Sequence, residues 1–203
     1  MQIAVLTSVA NRLRGFTAGA VGHNLLIGAL AFVAAAISIA VAPGVAGYLG
    51  AAFALIAVAI AAVDGRSFII PDSLNLLAFT LALAHAAVQD PDAKWFAMML
   101  AIARGSTLAL IFLALQRIYS WAKGRAGIGL GDVKLAGVAG AWLDWPMMPI
   151  AVQVAALAAL FTYLLKQRSL GRPVSATTKL PFGLFFAPAI WFCWILEQWL
   201  GRL

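Results

Sequence analysis

Two of the seven acidic residues in this 203-residue chain are placed where they could act on one substrate together. Asp64 closes a long apolar run, and Asp132 opens another, directly after the glycines of GIGLGD. Two apolar segments lie between them, so two membrane crossings would return both carboxylates to the same surface. Carboxylates within a few ångströms titrate as a pair. One then activates a water molecule while the other donates a proton to a carbonyl oxygen, as in aspartic proteases, with no metal or organic cofactor.

Each of these carboxylates also has a purely structural interpretation. Asp64 at a helix C-terminus meets the negative end of the helix dipole, which costs about 0.3 to 1 kcal/mol. It gains no cap there, although a solvated helix end remains an alternative. Asp132 precedes an apolar run, where an Asp N-cap would be stabilising. Asp72 follows Pro71 and begins a further run, so we expect it to be a helix cap rather than a functional group.

Gly129 and Gly131 precede Asp132 in the same stretch. Glycine lets another backbone approach closely or adopts a positive φ angle. Either property would suit an extended peptide lying beside the carboxylate of Asp132. The alternative is a flexible surface loop.

The composition indicates whether the protein around these groups is surrounded by water or by a lipid bilayer. Hydrophobic residues make up 64% of the chain and charged residues only 10%, whereas soluble domains carry about 25% charged residues. This indicates a polytopic membrane protein in a lipid bilayer, without a soluble domain of ordinary size. The single cysteine, Cys193, excludes a disulfide framework or a multi-cysteine zinc site within one chain. We interpret the net charge of +7 as a signal of membrane orientation, not of a nucleic-acid partner.

Apolar runs of roughly 17 to 25 residues are long enough to cross a bilayer as helices. The pattern predicts an all-α membrane bundle of about seven spans, with an N-terminal span added to a six-span core. We expect one integral membrane domain over residues 1–203, with the motif-bearing core at about 45–200. The predicted spans are His23–Ala42, Val45–Val63, Ser73–Val88, Trp95–Tyr119, Asp132–Trp145, Met147–Leu165 and Phe182–Leu200.

The basic residues predict the orientation, because Lys and Arg accumulate in cytoplasmic loops. With a cytoplasmic N-terminus, the outer side keeps only Lys94 and Arg202, while Arg104 lies within a span. The amphipathic stretch Met1–Arg14 would lead into the first span. That span could instead be a cleaved signal peptide, although its length favours a retained helix. The cytoplasmic side collects Arg12, Arg14, Arg66, Arg117, Lys123, Arg125, Lys134, Lys166, Arg168, Arg172 and Lys179.

Three stretches resemble the type IV prepilin peptidases, a family of bacterial and archaeal membrane aspartic peptidases. They are DGRSFIIPDSLN from Asp64, GIGLGDVKL, which is similar to the family's G-x-G-D-x-K-L pattern, and, more weakly, KLPFGLFFAP at the last span. Presenilin-like proteases share GxGD but usually show a tyrosine before the first aspartate and a later Pro-Ala-Leu motif. This chain has Val63 before the first aspartate, and Leu180 begins Leu-Pro-Phe-Gly.

The resemblance implies an endopeptidase of the cell membrane that cuts the basic leader from type IV pilin-like precursors at the cytoplasmic face. The prepilin would be the partner, and Asp64 and Asp132 the catalytic pair. Lys134 would contact a substrate carboxylate or serve as a cytoplasmic anchor. The residues that the resemblance implies as substrate-binding or site-shaping are Gly129, Gly131, Lys134, Ile70, Pro71, Pro181, Phe182 and Gly183.

Larger members of that family carry a cytoplasmic domain with paired cysteines, and many also methylate the new pilin N-terminus. This chain has no such cysteines and nothing that resembles a methyl-donor site. We therefore expect a short form and do not assign methyltransferase activity to it.

Two other functions compete with the peptidase at this stage. A proton-coupled transporter would favour acidic residues at mid-membrane, often in related halves, whereas Asp64 and Asp132 lie at helix ends. A pilus-assembly scaffold that does not cleave would keep the same aspartates without the right geometry. Arg104 is a functional candidate because it is charged within a span, although snorkelling or a structural partner is the stronger expectation. We expect His85 to be a packed or interfacial residue, and Asp144 and Glu197 to be solvated or interfacial.

Overall fold

The computed structural model describes residues 22, 24–124, 127–171 and 180–201. The predicted lead-in Met1–Arg14 lies outside these described residues. Within them the chain forms seven helices and no strand, which confirms the predicted all-α class. The helices are α1 (Asn24–Val41), α2 (Val45–Ser67), α3 (Asp72–Gln89), α4 (Lys94–Lys123), α5 (Leu130–Trp142), α6 (Met147–Leu170) and α7 (Gly183–Leu200).

Five of these helices are long and apolar enough to cross a membrane on their own, namely α1, α2, α4, α6 and α7. The other two fall short of that criterion. Helix α3 has 18 residues and polar ends, and α5 has only 13 residues. At 1.5 Å per residue α5 is about 20 Å long, which is less than the hydrocarbon thickness of about 30 Å. A helix this short needs protein around it at membrane depth.

Contacts at the two ends of the bundle show that α3 and α5 nevertheless lead from one end to the other. At one end Ile70, just before α3, packs near Gly131 in α5 and Gly183 in α7. At the other end Arg104 of α4 binds Asp144, which follows α5. Asp90, after α3, lines the same cavity as Arg104. We call the first the aspartate end and the second the arginine end.

Helix α5 is enclosed because α4 approaches it closely. A Cβ atom added at Gly140 would lie 2.5 Å from the carbonyl oxygen of Arg104, and one added at Gly105 would lie 2.6 Å from that of Gly137. Only glycine allows two helix backbones to come this near, as at membrane helix interfaces rich in small residues. The Gly- and Ala-rich composition that makes α5 short and weakly patterned is therefore what places it inside the bundle.

Aromatic side chains fill the arginine half of the core. The ring of Trp194 occupies the space left by Gly50, and its Nε1–H donates to Nε2 of His85 at 3.1 Å. Trp142 stacks on His85 at a centroid distance of 4.9 Å and on Phe53 at 4.4 Å. His85 is thus a packed core residue, as expected.

Candidate active site

Asp64 lies in the last turn of α2, which continues to Ser67 beyond the predicted end at Val63. Its residue exposure is 4%, and its Oδ2 accepts a hydrogen bond from the Leu184 N–H at 2.9 Å. Leu184 is in the first turn of α7, where backbone N–H groups have no partner within the helix. Asp64 makes no cap at the end of its own helix, but its carboxylate caps a helix 120 residues further along the chain, a structural role that the sequence did not predict.

Asp132 is the third residue of α5 rather than its N-cap, which is Gly129. The carboxylate turns back and its Oδ2 accepts the N–H of Gly129 at 3.3 Å. This is the acidic half of a capping box, so the predicted helix-start role holds but the predicted position does not. Both aspartates thus lie at the positive end of a helix dipole, which favours a carboxylate.

Ile70 connects the two aspartate regions. It is 6% exposed, and it packs near Gly131, one residue before Asp132, and near Gly183, one residue before the donor Leu184. A Cβ atom at Gly131 would lie 3.2 Å from Cβ of Ile70. One at Gly183 would lie 2.6 Å from Cδ1 of Ile70 and 3.0 Å from Oδ2 of Asp64. The structure therefore brings Asp64, Ile70, Gly131 and Gly183 together.

Close approach of Ile70, and not an unusual backbone angle, explains Gly131, whereas a Cβ atom at Gly129 would meet Oδ2 of Asp132 at 3.3 Å. Gly129 has an extended conformation with φ −75°, and Gly131 lies within α5. Among the described residues the glycines with positive φ are Gly44, Gly124 and Gly171, all outside the motif. The alternative of positive φ at Gly129 and Gly131 is therefore wrong.

Backbone amides surround the aspartate pair, and no cation is bound to it among the residues that the structure describes. The ion pairs found in that part of the chain are Arg104–Asp144 and Lys134–Asp72. Asp64 acts electrostatically on Asp132. Like charges at one end of the bundle, without a neutralising cation among the described residues, disfavour ionisation of both carboxylates at once. This setting is compatible with acid–base chemistry by the two carboxylates.

Two side chains of α4 hold the loop that carries the motif. Gln116 Nε2 donates to the carbonyl oxygen of Ile128 at 3.1 Å. Gly127 lies against the ring of Tyr119, where an added Cβ atom would be 2.6 Å from Cδ1. The sequence does not distinguish Gln116 or Tyr119, because a polar or aromatic residue near a span end has no distinctive pattern.

Lys134 and Asp72 form an ion pair of 2.6 Å, with side chains 51% and 75% exposed. Neither proposed role of Lys134, contact with a substrate carboxylate or anchoring, anticipated this partner. Asp72 is the first residue of α3 and makes no side-chain cap, so its predicted capping role was wrong. Pro71 holds the N-cap position, and its carbonyl oxygen accepts the N–H groups of Leu74 and Asn75 at 3.1 and 3.2 Å.

The segment before α7 is shaped by aromatic packing. Phe182 is the N-cap residue of α7. Its ring lies 5.1 Å from that of Phe186 and 6.4 Å from that of Phe112. Pro181, half-buried, precedes it. These contacts position Gly183 and Leu184 against Asp64.

A separate polar cluster occupies the arginine end. Arg104 Nη1 lies 2.6 Å from Oδ1 of Asp144, and the Asp144 N–H donates to Oε1 of Glu197 at 2.8 Å. The expected structural partner of Arg104 is thereby confirmed. Asp144 and Glu197 do not merely face solvent, since they tie α4, the α5–α6 loop and α7 together.

The model of the type IV leader peptidase family matches residues 51–164, more than half of the chain. The chain belongs to the type IV leader peptidase family. The matched residues include Asp64, Ile70, Gly131 and Asp132, whereas Gly183 and Leu184 lie beyond them. Membership confirms the resemblance that the motifs indicated. No solved structure matches this chain.

Curated relatives agree with the type IV leader peptidase assignment. A prepilin leader peptidase/N-methyltransferase of Dickeya chrysanthemi is 35% identical over 152 residues, covering 71% of this chain and 49% of that protein. A protein of the same name from Burkholderia pseudomallei is 35% identical over 147 residues, covering 71% and 45%. Leader peptidase HopD of Escherichia coli is 30% identical over 126 residues, covering 62% and 78%. The chain thus spans about half the length of the first two of these relatives.

Proposed function

We propose that this protein is a membrane aspartic endopeptidase that removes the leader from type IV pilin-like precursors at the cytoplasmic face of the membrane. The observation that carries the proposal is the setting of Asp64 and Asp132. Both lie at one end of the bundle, each accepts a backbone N–H, and neither has a cationic partner among the described residues. The name shared by two of the relatives, prepilin leader peptidase/N-methyltransferase, supports the substrate class.

The chemistry follows from one shared proton. The ionised carboxylate of the pair takes a proton from a water molecule as the water oxygen attacks the peptide carbonyl carbon. The protonated carboxyl donates its proton to the carbonyl oxygen, which gives a neutral tetrahedral intermediate. The C–N bond then breaks as the nitrogen takes a proton from one carboxyl of the pair, while a hydroxyl of the intermediate gives its proton to the other carboxylate, so that the product is a carboxylic acid and the pair again holds one proton. The backbone N–H groups of Leu184 and Gly129 hold the two carboxylates in place during these transfers.

The charge distribution supports cleavage at the cytoplasmic face. Arg66, Lys123 and Lys134 lie at the aspartate end, whereas the arginine end has Lys94, which begins α4, and Arg104, which is paired with Asp144. The positive-inside rule assigns the more basic end to the cytoplasm. The substrate would then present its leader to the aspartate pair without crossing the membrane.

Precursor processing in membranes tests the proposal. The chain is co-expressed with a pilin precursor from the same genome, and the conversion of precursor to mature pilin is followed by its change in size. Wild type is compared with Asp64→Asn and Asp132→Asn. Asp92→Asn is the matched control, because Asp92 is an exposed aspartate in the loop before α4.

We expect wild type and Asp92→Asn to cleave, and both site variants to leave the precursor intact although they insert normally. Cleavage by Asp64→Asn or Asp132→Asn at the wild-type rate would overturn the catalytic assignment. A well-inserted wild type that cleaves no pilin precursor would overturn the endopeptidase function itself.

A further inference from the structure

A groove on the membrane-facing side of the bundle leads to the helix that carries Asp132. It encloses about 410 Å³ between α3 and α4, with α5 as its floor. Leu76 and Phe79 form the α3 wall, Ser106 the α4 wall, and Gly137 and Val138 the floor. Leu76 is 67% exposed, so the groove opens towards the bilayer.

Small residues create this opening. Gly105 and Gly137 bring the backbones of α4 and α5 together, and Ser106 and Ala109 leave the space beside them unfilled. In a membrane, surfaces lined with small residues receive another helix by close packing. A stripe of small residues does not by itself identify a site, but a buried polar side chain adds an independent observation.

That side chain is Asn75 of α3, which lines the groove and is 5% exposed. Neither its Nδ2 nor its Oδ1 has a hydrogen-bond partner among the described residues. An unpaired amide buried inside the bundle is costly, because it has lost its contact with water without gaining a protein partner. An amide offers both donors and an acceptor, and therefore complements a peptide group, which has one of each. A lipid acyl chain has neither.

The groove begins beside the aspartate pair. Asp72 and Lys134 lie at the margin of the groove nearest the aspartate end, and Lys134 follows Asp132 by two residues on α5. Asn75 is three residues below Asp72 on α3, about 4.5 Å along the helix axis. Ile70, two residues before Asp72, packs near Gly131. A polypeptide in the groove therefore needs only a few extended residues to reach the carboxylates.

We propose that this groove docks an apolar segment of the precursor adjacent to the scissile bond, with Asn75 bonding its backbone. The proposal rests on the proposed function, since it assigns a binding surface to that substrate. The first turn of a membrane helix has N–H groups without internal partners, and unwinding for cleavage frees more. Asn75 supplies a partner in the groove, which selects a polypeptide over lipid as the occupant.

Site-specific photo-crosslinking tests which molecule occupies the groove. A benzophenone amino acid replaces Leu76, which lines the groove, or Leu77, which is also exposed but does not line it. Asp64→Asn is included so that the precursor stays uncut. We expect a crosslink to the precursor from position 76 and little from position 77. Crosslinks to lipid, to a second copy of this chain or to residues 1–21 of the chain, without precursor, would overturn the proposal.

Processing rates test whether docking matters for cleavage. Ser106→Phe fills the groove, whereas Thr107→Phe places the same ring on the adjacent exposed position of α4. We expect Ser106→Phe to slow processing by about tenfold, the effect of losing one good contact. Thr107→Phe should cleave like wild type. Equal rates for the two variants would contradict the proposed docking surface.

Asn75→Leu separates a binding role from a structural one. Leucine removes the unpaired amide and keeps the volume, so we expect thermal stability to be unchanged or higher while processing slows by about tenfold. A fall in stability with activity in proportion to folded protein would assign Asn75 to the fold alone. Crosslinking also distinguishes the two proposals. If wild type cuts the precursor but position 76 gives no crosslink to it, only the docking proposal is refuted. If wild type leaves the precursor uncut, the peptidase function itself is refuted.

Discussion

At the arginine end the carboxylate of Asp144 lies 2.6 Å from the guanidinium of Arg104. The backbone N–H of Asp144 donates a hydrogen bond to the carboxylate of Glu197. At the aspartate end Asp64 and Asp132 receive backbone N–H groups only, among the residues described. Both ends bring together helices distant in sequence. The difference is that the guanidinium neutralises the charge of Asp144, whereas the backbone amides orient Asp64 and Asp132 without neutralising either carboxylate. The ion pair stabilises the packing of the helices, whereas the amide-bound carboxylates are suited to acid–base chemistry.

The same substitution at both ends gives the largest contrast. We expect Asp64→Asn to lower cleavage by about 100-fold or more, the usual contribution of a general acid or base. Its melting temperature should stay level or rise, because Asn can still accept the Leu184 N–H and the buried charge is gone. Asp144→Asn should show the opposite pattern, with lower stability and wild-type cleavage per folded molecule. Processing assays and thermal unfolding in detergent measure both. If Asp144→Asn alone abolished cleavage, the comparison would fail.

Crowding at Gly183 should give the next largest effect. In Gly183→Ala the new Cβ atom would meet Cδ1 of Ile70 and Oδ2 of Asp64. A displacement of this size at a catalytic group lowers the rate by about 10- to 100-fold. Gly65→Ala is the matched control, because its Cβ atom would have ordinary contacts of 3.5 Å or more with Leu184. Adding Ile70→Val, which removes the crowding Cδ1, should restore part of the activity of Gly183→Ala. No recovery in the double variant would argue against this mechanism.

Breaking the ion pair at the arginine end should cost stability of intermediate size. Arg104 is 12% exposed in its side chain and Asp144 is 67% exposed. The expected loss for Arg104→Gln is therefore about 1 to 2 kcal/mol, between values for surface and buried pairs. A double-mutant cycle with Asp144→Asn, measured by unfolding in detergent, isolates the coupling. A coupling energy below about 0.3 kcal/mol would mean that the ion pair does not contribute to the stability of the bundle.

The smallest effect is expected for the exposed ion pair at the aspartate end. Lys134 and Asp72 are both more than half exposed in their side chains. Lys134→Met should change the free energy of unfolding by about 0.2 to 1 kcal/mol. The same unfolding assay, repeated at high salt, provides the check, since salt should weaken this pair more than Arg104–Asp144. A loss larger than that of Arg104→Gln would reverse the ranking of the two pairs.

Much of the fold was predictable because membrane helices carry their own signal. Each predicted span overlaps an observed helix, and the errors are at helix ends, such as the extension of α2 from Val63 to Ser67. The motif residues Ile70, Gly131 and Gly183 were singled out in advance from the resemblance and not from geometry, and the structure places them close to one another. Asp72 was wrongly predicted to be a helix cap, because the residue after a proline can be either the N-cap or the first residue of the helix. Here Pro71 is the N-cap and Asp72 is the first residue of α3. The contact of Leu184 with Asp64 could not be predicted, since Leu184 contributes its backbone N–H and every residue except proline has one.

The sequence by itself determined the membrane class, the helical elements and the family, because these depend on hydrophobicity and motif patterns that accumulate over many residues. Tertiary structure alone decided which N–H meets Asp64, which carboxylate pairs with Arg104, and that Asn75 has no partner among the described residues. Those outcomes depend on how closely the helices pack, which is set by single small residues such as Gly105 and Gly140. A shift of a few ångströms would change every one of these pairings while leaving the pattern of apolar runs unchanged.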